Sequence, residues 1–236
     1  MKLNIRNPIK LIGSAIVPCA LLGVAVSLDA QTVSFSSSTL TDGYMSWSPT
    51  ANTTANFPGD GGSGASGWGL SALPAVFSGT TLTLSPNVNT YAPGNIYWVN
   101  PDGSGANQMD GAIYNETTGV YVGASVTFTF DVLANTLASG YSADAFVKDF
   151  GPGYAYNGER TVNLTPGTDS VNYPLTGSNP GEIVQFGFEL IGPDANPATV
   201  ASLGSVEIAP VPEPTTLALA GLGLLGMLGI RMRRRI

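Results

Sequence analysis

The 236-residue chain contains no histidine, and its single cysteine is Cys19. Ser/His/Asp triads, Cys/His dyads, histidine metal sites and thiolate zinc sites are therefore excluded by inventory. Charge is also scarce: Asp, Glu, Lys and Arg make up 11% of the chain, against about 25% in an average protein. Long surface helices laced with ion pairs are not expected from that composition. What is abundant is Gly and Pro, at 30 and 17 residues, which favours short strands joined by many turns. Hydrophobic residues at 43% supply a core for one domain of ordinary size and leave no room for two large ones.

The nine basic residues are unevenly placed: Lys2, Arg6 and Lys10 at the start, Lys148 and Arg160 in the middle, and Arg231, Arg233, Arg234 and Arg235 at the end. Residues 31–209 hold fourteen acids and only two of these cations, a net charge of −12 within a total of −7. Such a body repels nucleic acid and anionic lipid headgroups and tolerates divalent cations.

Residues 1–30 have the order of a secretory signal: a basic start, an apolar run from Leu11 to Val26, and a polar stretch with small residues. They predict engagement of the secretion translocon and cleavage by signal peptidase, after Ser27 with Ala25 at −3 or after Ala30 with Leu28 there. A permanent amino-terminal anchor is the alternative, and Pro18 in mid-run argues against it. Cys19 follows Ile16, Val17 and Pro18, a poor lipoprotein context, and belongs to the apolar run. The mature chain is then expected to hold no cysteine, although its compartment permits disulfides.

From Thr215 to Ile230, sixteen residues carry no charge, a helical length of roughly 24 Å against a bilayer core of about 30 Å. Met232 and the arginine stems extend the span while the guanidinium groups reach the headgroups. The arginine cluster belongs on the cytoplasmic side, and so does the basic amino terminus, so both ends put the acidic body outside. A buried core helix is disfavoured because Gly221, Gly223, Gly226 and Gly229 give poor helix propensity in water.

Pro212-Glu213-Pro214, the apolar Leu- and Gly-rich segment and the terminal arginine cluster together resemble a PEP-CTERM sorting signal. The resemblance implies a bacterial protein handled by an exosortase, a membrane protease-transpeptidase, in organisms that make extracellular polysaccharide and biofilm. It implies that Pro212, Glu213 and Pro214 form the recognition motif and that Arg231, Arg233, Arg234 and Arg235 act as a membrane stop. Thr215 stands where the family often has serine, which keeps the hydroxyl. Independently, two prolines around one glutamate remove two backbone donors and hold the segment extended, accessible to a protease.

Between Thr32 and Ala209 apolar residues recur at period two, the sign of strands with one buried face. Ser125–Leu133 turns Val126, Phe128, Phe130 and Val132 inward, and Ile183–Ile191 turns Val184, Phe186, Phe188 and Leu190 inward, leaving Gln185, Gly187 and Glu189 outward. Shorter strands are predicted at Val33–Phe35, Thr80–Leu84, Asn95–Val99, Val120–Val122, Ala145–Lys148, Arg160–Leu164, Ser170–Tyr173 and Ser205–Ile208. The fold class is all-β: an antiparallel, jelly-roll-like sandwich over 31–209, between a signal helix at 1–30 and a sorting segment at 210–236 with its transmembrane helix. Residues 49–69 read as a glycine-rich loop, and a short helical turn is expected near Asp194–Val200. The strand pattern from Asn95 to Ala209 resembles galactose-binding-like jelly rolls, with Gly204-Ser205 where that family commonly shows an Asp-Asn pair.

Sugar binding needs aromatic faces for stacking, and Trp68, Trp98, Tyr114, Tyr121, Tyr154 and Tyr156 qualify by sequence context, with Trp68 in its loop and Tyr154 and Tyr156 in GYAYNG the leading candidate carbohydrate contacts. Trp98 is expected in the core, sharing a face with Ile96. Calcium is the metal to consider, since the available ligands are oxygens. The segment Asn100–Gly111 places Asn100, Asp102 and Ser104 at alternating positions, like an EF-hand loop, but has Gly111 where a bidentate acid is required. No pair of carboxylates is singled out for glycosidase chemistry, and no enzyme is predicted. The expectation is an exported, surface-sorted protein of the extracellular polysaccharide or biofilm matrix, with an exopolysaccharide-binding module as the alternative and a glycan-active enzyme ranked behind both.

Overall fold

The computed structural model describes residues 31–50, 64–67, 72–121, 123, 125–175 and 180–211. The signal segment, Trp68, most of the glycine-rich segment 49–69, and Pro212–Pro214 with the apolar segment and arginines that follow all lie outside the described residues. Among the described residues, twelve strands occur in the order β1 (Gln31–Val33), β2 (Asp42–Pro49), β3 (Gly64–Gly67), β4 (Ala75–Ser78), β5 (Thr81–Leu84), β6 (Asn107–Thr118), β7 (Ser125–Asn135), β8 (Ser142–Gly151), β9 (Ala155–Asn163), β10 (Gly167–Pro174), β11 (Ile183–Pro193) and β12 (Val206–Ala209). A 3₁₀ turn spans Val200–Leu203, slightly later than the turn expected near Asp194–Val200, and no α-helix occurs among the described residues.

The strands form two six-stranded sheets. One has the order β1-β7-β12-β5-β4, with β10 on the other edge of β7; the second runs β3-β2-β6-β11-β8-β9. All pairings are antiparallel except that of β1, which runs parallel to β7. The core lies between the two central strands. Phe128 and Phe130 of β7 meet Phe186 and Phe188 of β11, with ring centroids 5.2 Å apart for Phe128–Phe186, 5.1 Å for Phe128–Phe188 and 5.5 Å for Phe130–Phe188. Offset and edge-on geometries of this kind add to the gain from burying the rings. Val126, Leu82, Ile208, Val147 and Ile113 complete the layer from both sheets.

The two long alternating segments fold as strands with their predicted inner faces. Others differ. Asn95–Val99 is a turn, because the Asn95 side chain accepts from Tyr97 N at 3.0 Å and its carbonyl accepts from Trp98 N and Val99 N; local side-chain bonding of this sort competes with sheet pairing. Val120 and Tyr121 lie in a bend after Gly119, whose φ of 69° ends β6. The first strand is Gln31–Val33 and not Val33–Phe35, while Phe35 is a buried ring packed on Phe188 at 5.0 Å.

Removing the Phe188 ring would leave a cavity at the centre of the aromatic contact. Phe188→Ala is expected to lower stability by about 3–5 kcal/mol, read as a lower urea midpoint at unchanged slope.

Candidate functional site

The inner face of β11 is fixed by Val184, Phe186, Phe188 and Leu190, so the intervening residues must face away from the core. Register then aligns these residues in rows across the outer face of the second sheet, four of which frame the site. Thr118, Ile183, Phe150 and Tyr156 form one row; Glu116, Gln185, Lys148 and Glu159 the next. Asp42, Tyr114, Gly187, Phe146 and Thr161 form the third, and Tyr44, Ala112, Glu189, Asp144 and Asn163 the fourth. Gln185 and Glu189 do point outward, yet both are buried by the rows that flank them.

A concavity of about 510 Å³ opens on this face, lined by Tyr44, Tyr114, Glu116, Phe146, Lys148, Phe150, Tyr154 and Gln185, with Ala112 at its floor. Gly187 pairs with Tyr114 on one side and Phe146 on the other. A Cβ there would overlap the Ile113 carbonyl, and without one the rings of Tyr114 and Phe146 close over the strand at 6.4 Å. Phe146 is 1% exposed although it faces away from the core, because Tyr114 and the Lys148 stem cover it, with Nζ 4.2 Å from its ring centroid.

The polar groups are paired into the walls. Glu116 accepts from the Tyr154 hydroxyl at 2.7 Å through Oε1 and from Gln185 Nε2 at 2.7 Å through Oε2. Lys148 donates to Glu189 at 3.1 Å and lies 3.7 Å from Glu159. Burial works against the Lys148 ammonium, but Glu189, Glu159 and Asp110 outweigh it and hold its pKa above the ordinary value. Burial also pushes Glu189 up to about 7, with Lys148 pulling the other way, and pushes Tyr114 to about 12, helped by Glu116. Asp110 and Asp144 are raised chiefly by burial as well.

Tyr154 and Tyr156 flank one ring, Phe150, at 5.9 and 5.8 Å. A bulge between Asp149 and Phe150 pairs Tyr156 with Phe150, which turns Tyr156 to the outer face. Tyr154 sits in the β8–β9 turn at φ 61°, the sole non-glycine residue at positive φ among those described, where its hydroxyl reaches Glu116. Tyr154 lines the concavity; Tyr156, 61% exposed, is not among its lining residues. Trp98 is half-buried against the core and contacts Trp47 at 5.9 Å. The Asn100–Gly111 segment is not an EF-hand: Asp102 Oδ1 accepts from Ser104 N and Oγ in a local turn, and Gly111 lies within β6. Tyr114, a candidate by sequence context, lines the concavity, whereas Tyr44, Phe146, Phe150, Glu116 and Gln185 were not singled out as site residues by the sequence. Their signal was faint: aromatic residues at outward positions of strands otherwise read as one-faced.

At the other end of the domain, β12 lies between β7 and β5. Ala209 is its last paired residue, and only Pro210 and Val211, both half-buried, separate it from Pro212. Residues 210–235 match the PEP-CTERM protein-sorting motif. The motif implies export, surface sorting and an exosortase as the processing partner. Comparison with curated proteins and with solved structures gives no match, so the jelly-roll likeness of 95–209 rests on strand pattern alone. Among the described residues no helix is long and apolar enough to cross a membrane.

Two outcomes are expected. Gly187→Ala forces β6 away from β11 and costs about 1–3 kcal/mol, measurable by urea unfolding. The second concerns pH. Asp110, Asp144, Glu189 and Asp194 all have raised pKa values, Glu189 at about 7 and Asp194 at about 6. The folded state therefore binds more protons than the unfolded chain between their ordinary and raised values, and stability falls as pH rises through that window. The melting temperature is expected to be higher near about pH 5 than near about pH 7.5, with a smaller difference in Glu189→Gln. Asp102, whose pKa its Ser104 hydrogen bonds lower, acts in the opposite sense only below that window.

Proposed function

We propose that the protein is exported with cleavage of its signal peptide, held in the inner membrane by its carboxyl-terminal helix, processed by an exosortase at Pro212–Pro214, and displayed at the cell surface or in the extracellular polysaccharide matrix. We further infer that the sandwich is a non-enzymatic module that binds a neutral glycan on the outer face of its second sheet. The observation that carries the glycan reading is the concavity of about 510 Å³ ringed by five aromatic side chains with a carboxylate and an amide among them. Aromatic faces stack on pyranose rings, and planar polar groups bond their hydroxyls. A neutral ligand is favoured because Lys148 is engaged by Glu189 and Glu159, while Arg160, the body's only other cation, bonds the Asn172 carbonyl at 3.3 Å. An acidic domain with both cations so engaged offers nothing to an anionic polymer.

Two experiments separate sorting from binding. In the native host, Glu213→Ala is expected to block processing and leave the unprocessed chain in the membrane fraction; normal processing of that variant would exclude the motif as the recognition element. With the full chain in mild detergent, neutral polysaccharide from the host should bind saturably and without release of reducing ends. Tyr44→Ala and Tyr154→Ala are each expected to weaken binding about threefold to tenfold, while Val76→Ala, on the β4 edge of the opposite sheet, leaves it unchanged. Equal affinity in all three variants would place any glycan contact elsewhere.

A further inference from the structure

A second polar centre lies away from the concavity, where β11 ends. Asp194 is 2% exposed, and neither of its carboxylate oxygens has a hydrogen-bond partner. The Thr90 hydroxyl and the Ala195 N–H face it closely enough to lower its pKa, but burial dominates and raises it to about 6. Both cations of the domain are engaged elsewhere, so no side chain neutralises this carboxylate. An ionised group in that position is costly unless something of opposite charge joins it.

The residues around Asp194 are rich in neutral oxygen. Its own N–H donates to the Asn107 carbonyl at 2.9 Å, and the next N–H, of Ala195, donates to the Asn87 carbonyl at 2.7 Å. Gly105 packs directly on the Asp194 backbone, where a Cβ would overlap the Asp194 carbonyl. The neighbouring Asn100 is buried; its Nδ2 donates to Ser104 Oγ at 3.1 Å and to the Gly105 carbonyl at 3.2 Å, but its Oδ1 has no partner. Asn87 is buried too, its Oδ1 accepting from Asn89 N at 3.0 Å and its Nδ2 unpartnered. Three unpartnered oxygens, two of them on one carboxylate, thus belong to segments that the Gly105 contact locks together.

We propose that this junction binds a calcium ion, with the Asp194 carboxylate and Asn100 Oδ1 as its side-chain ligands. The donor set is all oxygen, as a hard cation requires, and a single carboxylate sets a weak affinity of about 10⁻⁴–10⁻³ M, the range of extracellular modules. The acid that the Asn100–Gly111 segment lacks in its own sequence comes from the end of β11. The site is separate from the glycan concavity and does not depend on it.

The test uses the full chain in mild detergent near about pH 7.5, where Asp194 is ionised. Calcium at about ten times its dissociation constant is expected to raise the folding equilibrium constant about tenfold over EDTA, seen as a higher melting temperature. Terbium should bind competitively with calcium and show tyrosine-sensitised emission, because Tyr141 bonds the Pro193 carbonyl at 2.9 Å and feels the Asp194 charge. Asp194→Asn should abolish both effects and Asp102→Asn neither. Asn100→Asp, which adds a second carboxylate, should tighten calcium binding at least tenfold, so the proposal stays testable if Asp194→Asn fails to fold. A wild-type melting temperature indifferent to calcium overturns the proposal. So does a calcium effect that survives Asp194→Asn, or an Asn100→Asp variant with unchanged calcium affinity.

Discussion

The contact of Phe128 and Phe130 with Phe186 and Phe188 is the interaction on which the other features rest. It joins the two strands that organise the sheets: β7, which pairs with β1, β10 and β12, and β11, which pairs with β6 and β8. Because side chains alternate along a strand, locking the even positions of β11 into the core commits Gln185, Gly187 and Glu189 to the opposite face. The concavity is thus a consequence of core packing. Its rows are aligned by the same register that buries the phenylalanines, and the gap at Gly187 is where Tyr114 and Phe146 can meet.

The electrostatics follow from how few cations the domain has. Lys148 is held by two carboxylates above an aromatic ring and Arg160 ties β9 to β10, so both serve cohesion. Lys148 pulls against the shifts of Glu189 and Asp110, but burial outweighs it, and Glu189, Asp110, Asp144 and Asp194 all hold protons more tightly than ordinary carboxylates. A fold of this kind tolerates mild acid and gains from metal ions or neutral ligands more than from anionic partners.

The two ends of the domain lie along one strand. Gln31, where β1 begins, pairs with Val126, and Ala209, where β12 ends, pairs with Asp131, on the same edge of β7, five residues or about 17 Å apart. The sorting motif begins three residues beyond a strand whose Val206 and Ile208 are fully buried.

By itself the sequence determined the strand class, the inner faces of β7 and β11, the acidity of the body and the sorting segment, since each depends on local period, composition or a short linear motif. It did not reveal β6, whose NQMDGAIYNETT carries too few apolar residues at even spacing, or show that Asn95–Val99 would spend its backbone bonds on an Asx turn. Tyr154 and Tyr156 could be noticed as neighbours in sequence, but their shared partner Phe150 depends on a bulge that only strand pairing reveals. The concavity and the Asp194 junction were decided by tertiary structure alone. They assemble residues far apart in the chain, from Tyr44 to Gln185 and from Asn87 to Asp194, and what places such residues together is the register of paired strands and the burial of one face, neither of which is a property of any single segment.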